Sequence, residues 1–104
     1  MEFINLTPHV IRLNDGREFQ PSGQVARVSA TYELYFDDDP NFYSVRFGYV
    51  IGLPNQTPDT YYIVSGMVAQ AAKRFDVVSP ATGHPDCIRK DGQVYSVPGF
   101  LVNE

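Results

Sequence analysis

Apolar and polar residues alternate along most of this chain with the period of two that indicates β-strands. The longest alternation runs over residues 24–36, where one parity is wholly apolar and the other is mostly polar. The apolar parity consists of Ala26, Val28, Ala30, Tyr32, Leu34 and Phe36. This pattern predicts a half-buried strand, and its length predicts a bulge or bend near Ser29-Ala30.

Turn residues divide the remaining apolar runs into short strands. Asn14-Asp15-Gly16 predicts a hairpin within residues 9–21, and Asp91-Gly92 predicts a second hairpin between residues 88–90 and 93–97. Residues 60–64 are β-branched and aromatic, so they predict a further strand. At 104 residues the chain is expected to form a single domain over residues 1–104. The predicted class is α+β and mostly β, as a small mixed sheet or a partly closed barrel of hairpins.

The period changes to that of a helix after Ser65. Val68, Ala71, Ala72 and Phe75 then follow one another at spacings that form one apolar stripe. Ser65 is a suitable N-cap, and Lys73 and Arg74 are expected in the last turn. The sequence therefore predicts one short helix at about residues 66–74, packed on the sheet because it is too short to be stable alone.

Strands at residues 60–64 and 75–79 flank this helix, and so short a connection favours a parallel pair. The carboxyl ends of parallel strands share one edge of the sheet, where ligands and anions bind in open α/β units. This edge would carry the predicted ligand-binding residues Ser65, Gly66, Thr82, Gly83 and His84. Arg74, or an arginine of a neighbouring subunit, would neutralise the ligand's charge, and His9 is a further ligand-binding candidate. Each loop also has a purely structural interpretation, as a helix cap and as a turn.

Composition narrows the classes of function. Hydrophobic residues make up 43% of the chain and charged residues 19%, as in a folded globular protein. The net charge of −4 argues against generic nucleic-acid binding. No apolar run reaches the length of a membrane span, and the first residues do not resemble a signal peptide, so a cytoplasmic protein is expected. Aromatic richness and open strand edges favour a homo-oligomer.

Motifs for catalysis and metal binding are incomplete. The two histidines, His9 and His84, have no metal-ligand spacing to each other or to Asp76 or Asp86. Ser65, His84 and an aspartate could form a hydrolase triad, but the G-x-S-x-G motif is absent. Phosphate-loop and dinucleotide motifs are absent too. We therefore predict no catalytic residue, no metal and no cofactor, and the sequence favours a binding protein over an enzyme.

Four segments resemble a group of small proteins encoded by bacteriophages and prophages: INLTPHVI, PSGQVARV, GLPNQTPDTYYIVSGMVAQAAKRFDVVSPATG and RKDGQVYSVPGFLVN. The matching positions are Asn5, Leu6, Thr7, Pro8, His9, Ser65, Ala69, Arg74, Asp76, Pro80, Thr82 and Gly83. The resemblance implies a viral context and no particular activity. Three functions follow as alternatives: sequestering a phosphorylated nucleotide signal of host defence, inhibiting a host protein, or serving as a minor virion or assembly component. The first, an anti-defence role, is the leading hypothesis.

Overall fold

A computed structural model describes residues 1–103 of the chain. It contains ten strands and one helix. In chain order these are β1 Glu2–Asn5, β2 Ile11–Arg12, β3 Glu18–Phe19, β4 Arg27–Phe36, β5 Phe42–Ile51, β6 Thr60–Ile63, α1 Gly66–Ala72, β7 Val77–Pro80, β8 Ile88–Lys90, β9 Gln93–Ser96 and β10 Phe100–Leu101. The class is α+β and mostly β, as predicted, and no sheet closes into a barrel within the described residues.

The central sheet is mixed and has four strands in the order β1-β6-β7-β10. β6 and β7 pair in parallel, as the strand–helix–strand order predicted, with Tyr62 opposite Val77. β1 also pairs in parallel with β6, and β10 completes the sheet antiparallel to β7. Both predicted hairpins are confirmed: β2 pairs with β3 and β8 pairs with β9.

The core lies between this sheet and α1. Its buried residues come from the ends of the strands and from one face of the helix: Leu6, Ala26, Tyr62, Val64, Val68, Ala69 and Val77. Burial of such side chains stabilises a fold by about 1.5–3 kcal/mol each. α1 is thus held by packing, because its seven residues are too few for an independent helix.

The helix differs from its prediction at its C-terminal end. α1 ends at Ala72, and Lys73 adopts the left-handed conformation with φ of 54°. No basic residue therefore lies in the last turn. The predicted apolar stripe is also wrong at Phe75, whose side chain is 62% exposed after the chain leaves the helix, while Ala69 is buried instead.

Asn103 closes the C-terminal end of α1. Its Nδ2 group donates to the carbonyl oxygens of Ala69, Arg74 and Val77 at 3.0, 3.1 and 3.3 Å. These bonds tie the last helical carbonyls to β7, which replaces the basic residues that the sequence pattern predicted there.

We expect Asn103→Ala to lower the free energy of unfolding by about 1–2 kcal/mol, because it removes three hydrogen bonds to partly buried carbonyls, of which Ala69 and Arg74 keep only one backbone donor each. Urea denaturation of the purified protein measures this change. Asn41→Ala, at an exposed asparagine, is the matched control and should change stability by less than about 0.5 kcal/mol. Equal effects of the two substitutions would contradict the capping role.

β4 and β5 form a separate two-stranded ribbon. The predicted irregularity is confirmed: the register shifts between Val28 and Ala30. The predicted burial is wrong for most of the strand, because only Val28 and Val50, at its base, pack on the core. We call residues 29–49 the arm. The radius of gyration is 15.5 Å, against about 13 Å for a compact chain of this length, and the projecting ribbon accounts for an elongated shape.

In residues 1–103, no helix has both the length and the apolar character that crossing a membrane requires.

Candidate functional site

β1, β6 and β7 run in the same direction, so their carboxyl ends lie side by side. We call this side of the sheet, across the strand ends, its carboxyl edge. A cavity of about 430 Å³ opens at this edge, and we call it the edge cavity. Its lining consists of Thr7, Pro8, His9, Ile11, Val64, Ser65, Gly66, Ser79, Pro80, Thr82 and Leu101. Volume and lining match those of small-molecule sites, which combine apolar walls with a few polar groups.

Four of the predicted ligand-binding residues line the edge cavity: His9, Ser65, Gly66 and Thr82. The Ser65 Oγ accepts the N–H of Val68 at 3.4 Å and so caps α1. This bond uses the hydroxyl as an acceptor and leaves its proton free to donate. Capping and ligand binding are therefore compatible at Ser65, whereas the sequence alone presented them as alternatives.

The buried side chain of Asn5 holds the loop that forms one wall of the edge cavity. Its side chain is 2% exposed. Its Oδ1 accepts the N–H and the hydroxyl of Thr7, at 2.9 and 2.7 Å. Its Nδ2 donates to the carbonyl oxygens of His9 and Phe19, at 2.8 and 2.9 Å. The amide therefore fixes the loop that places Thr7 and His9 in the lining.

Sequence reasoning missed both this role of Asn5 and the place of Thr7 in the site. The available signal was a polar Asn-x-Thr spacing at the end of an apolar strand, since such residues bond to nearby backbone groups.

Gly83 and His84 lie outside the edge cavity. The N–H of His84 donates to the carbonyl oxygen of Ala81 at 3.3 Å, so the chain turns sharply after Thr82. The His84 Nδ1 accepts the N–H of Asp86 at 3.0 Å. Both residues are exposed, and they shape a turn that directs the chain towards β8.

Arg74 lies after the other end of α1, next to the start of β7, and it does not line the edge cavity. Its Nε and Nη2 donate to the two carboxylate oxygens of Asp76 at 3.0 and 2.6 Å. Its Nη1 donates to the carbonyl oxygen of Pro54 at 2.9 Å. The hydrogen bond to Asp76 raises the pKa of the guanidinium above its ordinary value. Arg74 therefore neutralises a buried carboxylate, and another group must balance the charge of any anion at the edge.

A second cavity, of about 410 Å³, adjoins the first, and we call it the tyrosine cavity. The two share His9, Ile11, Pro80 and Thr82 in their linings. The carbon at the centre of the Arg12 guanidinium lies 4.6 Å from the centroid of the Tyr95 ring in this second cavity. The hydrogen bond from Arg12 to Glu18 raises the pKa of this guanidinium. One groove thus runs from the helix start to a cation–π pair.

The groove is free of carboxylates in its described lining, although the chain has 12 acidic and 8 basic residues. A cavity elsewhere is lined by Asp59 and Asp76. The Glu18 carboxylate lies just outside this lining, 2.6 Å from the Arg12 Nη2, so the groove presents neutral donors and one paired arginine.

The described residues form neither a metal site nor a Ser-His-Asp triad. Within residues 1–103, no three His, Cys, Asp or Glu side chains are grouped as metal ligands would be. Ser65 lines the edge cavity while His84 does not, so the hypothetical triad has no shared cleft. Comparisons with protein-family models, with curated proteins and with solved structures give no match to this chain.

Proposed function

We propose that the protein is a non-catalytic binding protein for a small phosphorylated ligand, held in the groove formed by the edge and tyrosine cavities. One observation carries the proposal: the groove combines side-chain hydroxyls, an imidazole and a guanidinium in a lining without carboxylates. Ionised phosphate oxygens accept hydrogen bonds, so they suit a lining that offers donors and contains no carboxylate.

The residues divide into two functional groups. Ser65 and Thr82 offer hydroxyl donors at the edge cavity, and Gly66 has no side chain there, so a ligand can approach its backbone closely. At the other end, the Nε and Nη2 of Arg12 bond Glu18. Its Nη1 makes no hydrogen bond within the described residues and can donate to a phosphate oxygen. Arg12 therefore supplies a hydrogen-bond donor at the groove, while Glu18 already balances its charge as Asp76 balances that of Arg74.

The dimensions favour a ligand of nucleotide size. Each cavity, at about 430 and about 410 Å³, lies within the range of small-molecule sites of about 300–1,000 Å³. Their four shared lining residues make them neighbours along one groove. The Tyr95 ring at its end is already in contact with two cations: the central carbon of the Arg12 guanidinium lies 4.6 Å, and the Lys90 Nζ 3.6 Å, from the ring centroid.

The phage-like sequence pattern supplies the biological context of the proposal. In that context the ligand is a phosphorylated nucleotide signal of host defence, which the protein sequesters in the cytoplasm of the host cell. The protein would act there as a homo-oligomer.

The test is a thermal-shift titration with cyclic and linear nucleotides, using the corresponding nucleosides as controls without phosphate. A ligand at about 100 times its Kd adds about 2.7 kcal/mol of stability, which is roughly 10 °C in Tm for a domain of this size. We expect Arg12→Gln and Thr82→Val each to weaken binding by about 10-fold or more, because each removes a donor to phosphate.

Arg27→Gln and Thr31→Val are the matched controls, since both residues are exposed on β4 and outside the groove. They should bind as the unmodified protein does. Two results would overturn the proposal: no shift with any nucleotide at millimolar concentration, or equal binding by groove variants and controls.

A further inference from the structure

The arm has two different faces, which the strand register defines. One face presents Ala30, Tyr32 and Leu34 from β4 and their partners Phe47, Val45 and Tyr43 from β5. We call these six residues the apolar face. The opposite face carries Glu33 and Arg46, which form an ion pair at 3.0 Å. The apolar face contains no charged residue, so it is the face suited to burial.

Four of the six residues of the apolar face are exposed, and Ala30 and Phe47, nearest the base, are half-buried. Tyr32, Tyr43, Leu34 and Val45 are 68, 61, 52 and 45% exposed. These fractions amount to on the order of 450 Å² of apolar surface, taking about 200 Å² for each large side chain. Large apolar patches on soluble proteins mark interaction sites. A stable interface of ordinary size buries about 800 Å² on each partner, so this face supplies more than half of that requirement.

The arm also lacks support from the rest of its own chain. It consists of two strands, and an isolated two-stranded ribbon is at best marginally stable in water. Val28 and Val50 anchor its base to the core, but residues 31–43 are exposed without exception. Such a ribbon is stabilised when another surface packs on its apolar residues. A second copy of the chain can provide that surface wherever the protein is made.

We propose that the apolar face is the interface of a homodimer, in which two arms pack face to face about a two-fold axis. Large and small side chains alternate across the ribbon, since Ala30 lies opposite Phe47 and Tyr32 lies opposite Val45. Two copies related by a two-fold axis bring the same surface to both sides. Large residues of one arm then fit over small residues of the other, as in packed sheets.

Charge supports a second copy as the occupant. Each chain has a net charge of −4, so two copies repel one another at most surfaces. The apolar face avoids this repulsion because it has no charged side chain. Asp37, Asp38 and Asp39 follow β4 in the connection to β5, and they remain in water when the faces pair.

Sedimentation velocity and light scattering at about 2 and about 200 µM test the proposal, because self-association depends on concentration. We expect the unmodified protein to have twice the chain mass, and Tyr32→Lys to be monomeric over the same range. Thr31→Lys is the matched control: Thr31 is exposed and pairs with Arg46, on the face that carries the ion pair. This variant should remain dimeric.

Hydrogen exchange tests the same interface without a substitution, in case Tyr32→Lys does not fold. Arm amides should be protected at high protein concentration and should exchange faster on dilution, while the central sheet stays protected. A monomer at every concentration, equal dissociation by Tyr32→Lys and Thr31→Lys, or concentration-independent exchange in the arm would overturn the proposal. A monomer that binds a host protein through Tyr32 would overturn it in favour of that partner.

Discussion

Replacing Arg74 by methionine is expected to lower the free energy of unfolding by about 3–5 kcal/mol. The reason lies in Asp76, whose side chain is 2% exposed and whose carboxylate is held by two hydrogen bonds from the Arg74 guanidinium. Methionine keeps much of the aliphatic length but provides no donor. The carboxylate is then buried without a partner, and the carbonyl oxygen of Pro54 also loses its donor. Urea denaturation followed by circular dichroism measures the change.

A second substitution separates charge from packing in this experiment. Adding Asp76→Asn to Arg74→Met removes the isolated buried charge, so the double variant should be more stable than Arg74→Met alone. Arg74→Lys keeps the positive charge but loses the two-pronged geometry, so its stability should lie between those of the unmodified protein and Arg74→Met. If Arg74→Met changes stability by less than about 1 kcal/mol, the pair does not have the structural role assigned to it.

Replacing Asn5 by aspartate is expected to cost about 3 kcal/mol or more and to abolish ligand binding at the edge cavity. Aspartate keeps an acceptor for Thr7 but has no N–H group for the carbonyl oxygens of His9 and Phe19, which then face a negative oxygen. The Thr7–His9 loop loses its anchor, and the cavity wall moves with it. Thermal unfolding and nucleotide titration of the same samples measure the two effects.

Asn41→Asp is the control for that experiment, because the same chemical change is made there at an exposed residue. It should leave the Tm and binding close to those of the unmodified protein. An Asn5→Asp protein that keeps its Tm would contradict the network. One that loses stability but binds nucleotide unchanged would show that the Thr7–His9 loop does not form the site.

Local sequence signals predicted those elements that depend on neighbouring residues. Ser65 caps α1 because its hydroxyl reaches Val68 within the same turn, and Asp91-Gly92 forms a hairpin because the turn determines which strands pair. The parallel pairing of β6 and β7 followed from the short helix between them. In contrast, the parallel pairing of β1 with β6 joins residues nearly 60 positions apart. No local pattern specifies such a partner.

Burial was predicted less well, because alternation shows which face of a strand is apolar and not what covers it. The alternating pattern of residues 24–36 is real, but beyond Ala30 every residue of the strand is exposed. The site shows the same limit. The parallel strands place Ser65 and Thr82 in one cavity, as expected. Gly83 and His84 lie outside it, because the chain turns after Thr82. Arg74 is near in sequence but bonds to Asp76 instead.

The order of strands in the central sheet has a consequence for how the chain folds. The two outer strands of the sheet are β1, at residues 2–5, and β10, at residues 100–101. The sheet is therefore complete only after almost the whole chain is available. The β4–β5 hairpin needs only neighbouring residues. Hairpins form in about 1–10 µs, whereas domains dominated by distant pairings fold in milliseconds to seconds. During synthesis the aromatic arm therefore emerges long before the sheet that anchors it, and this interval is when the chain is most prone to aggregate.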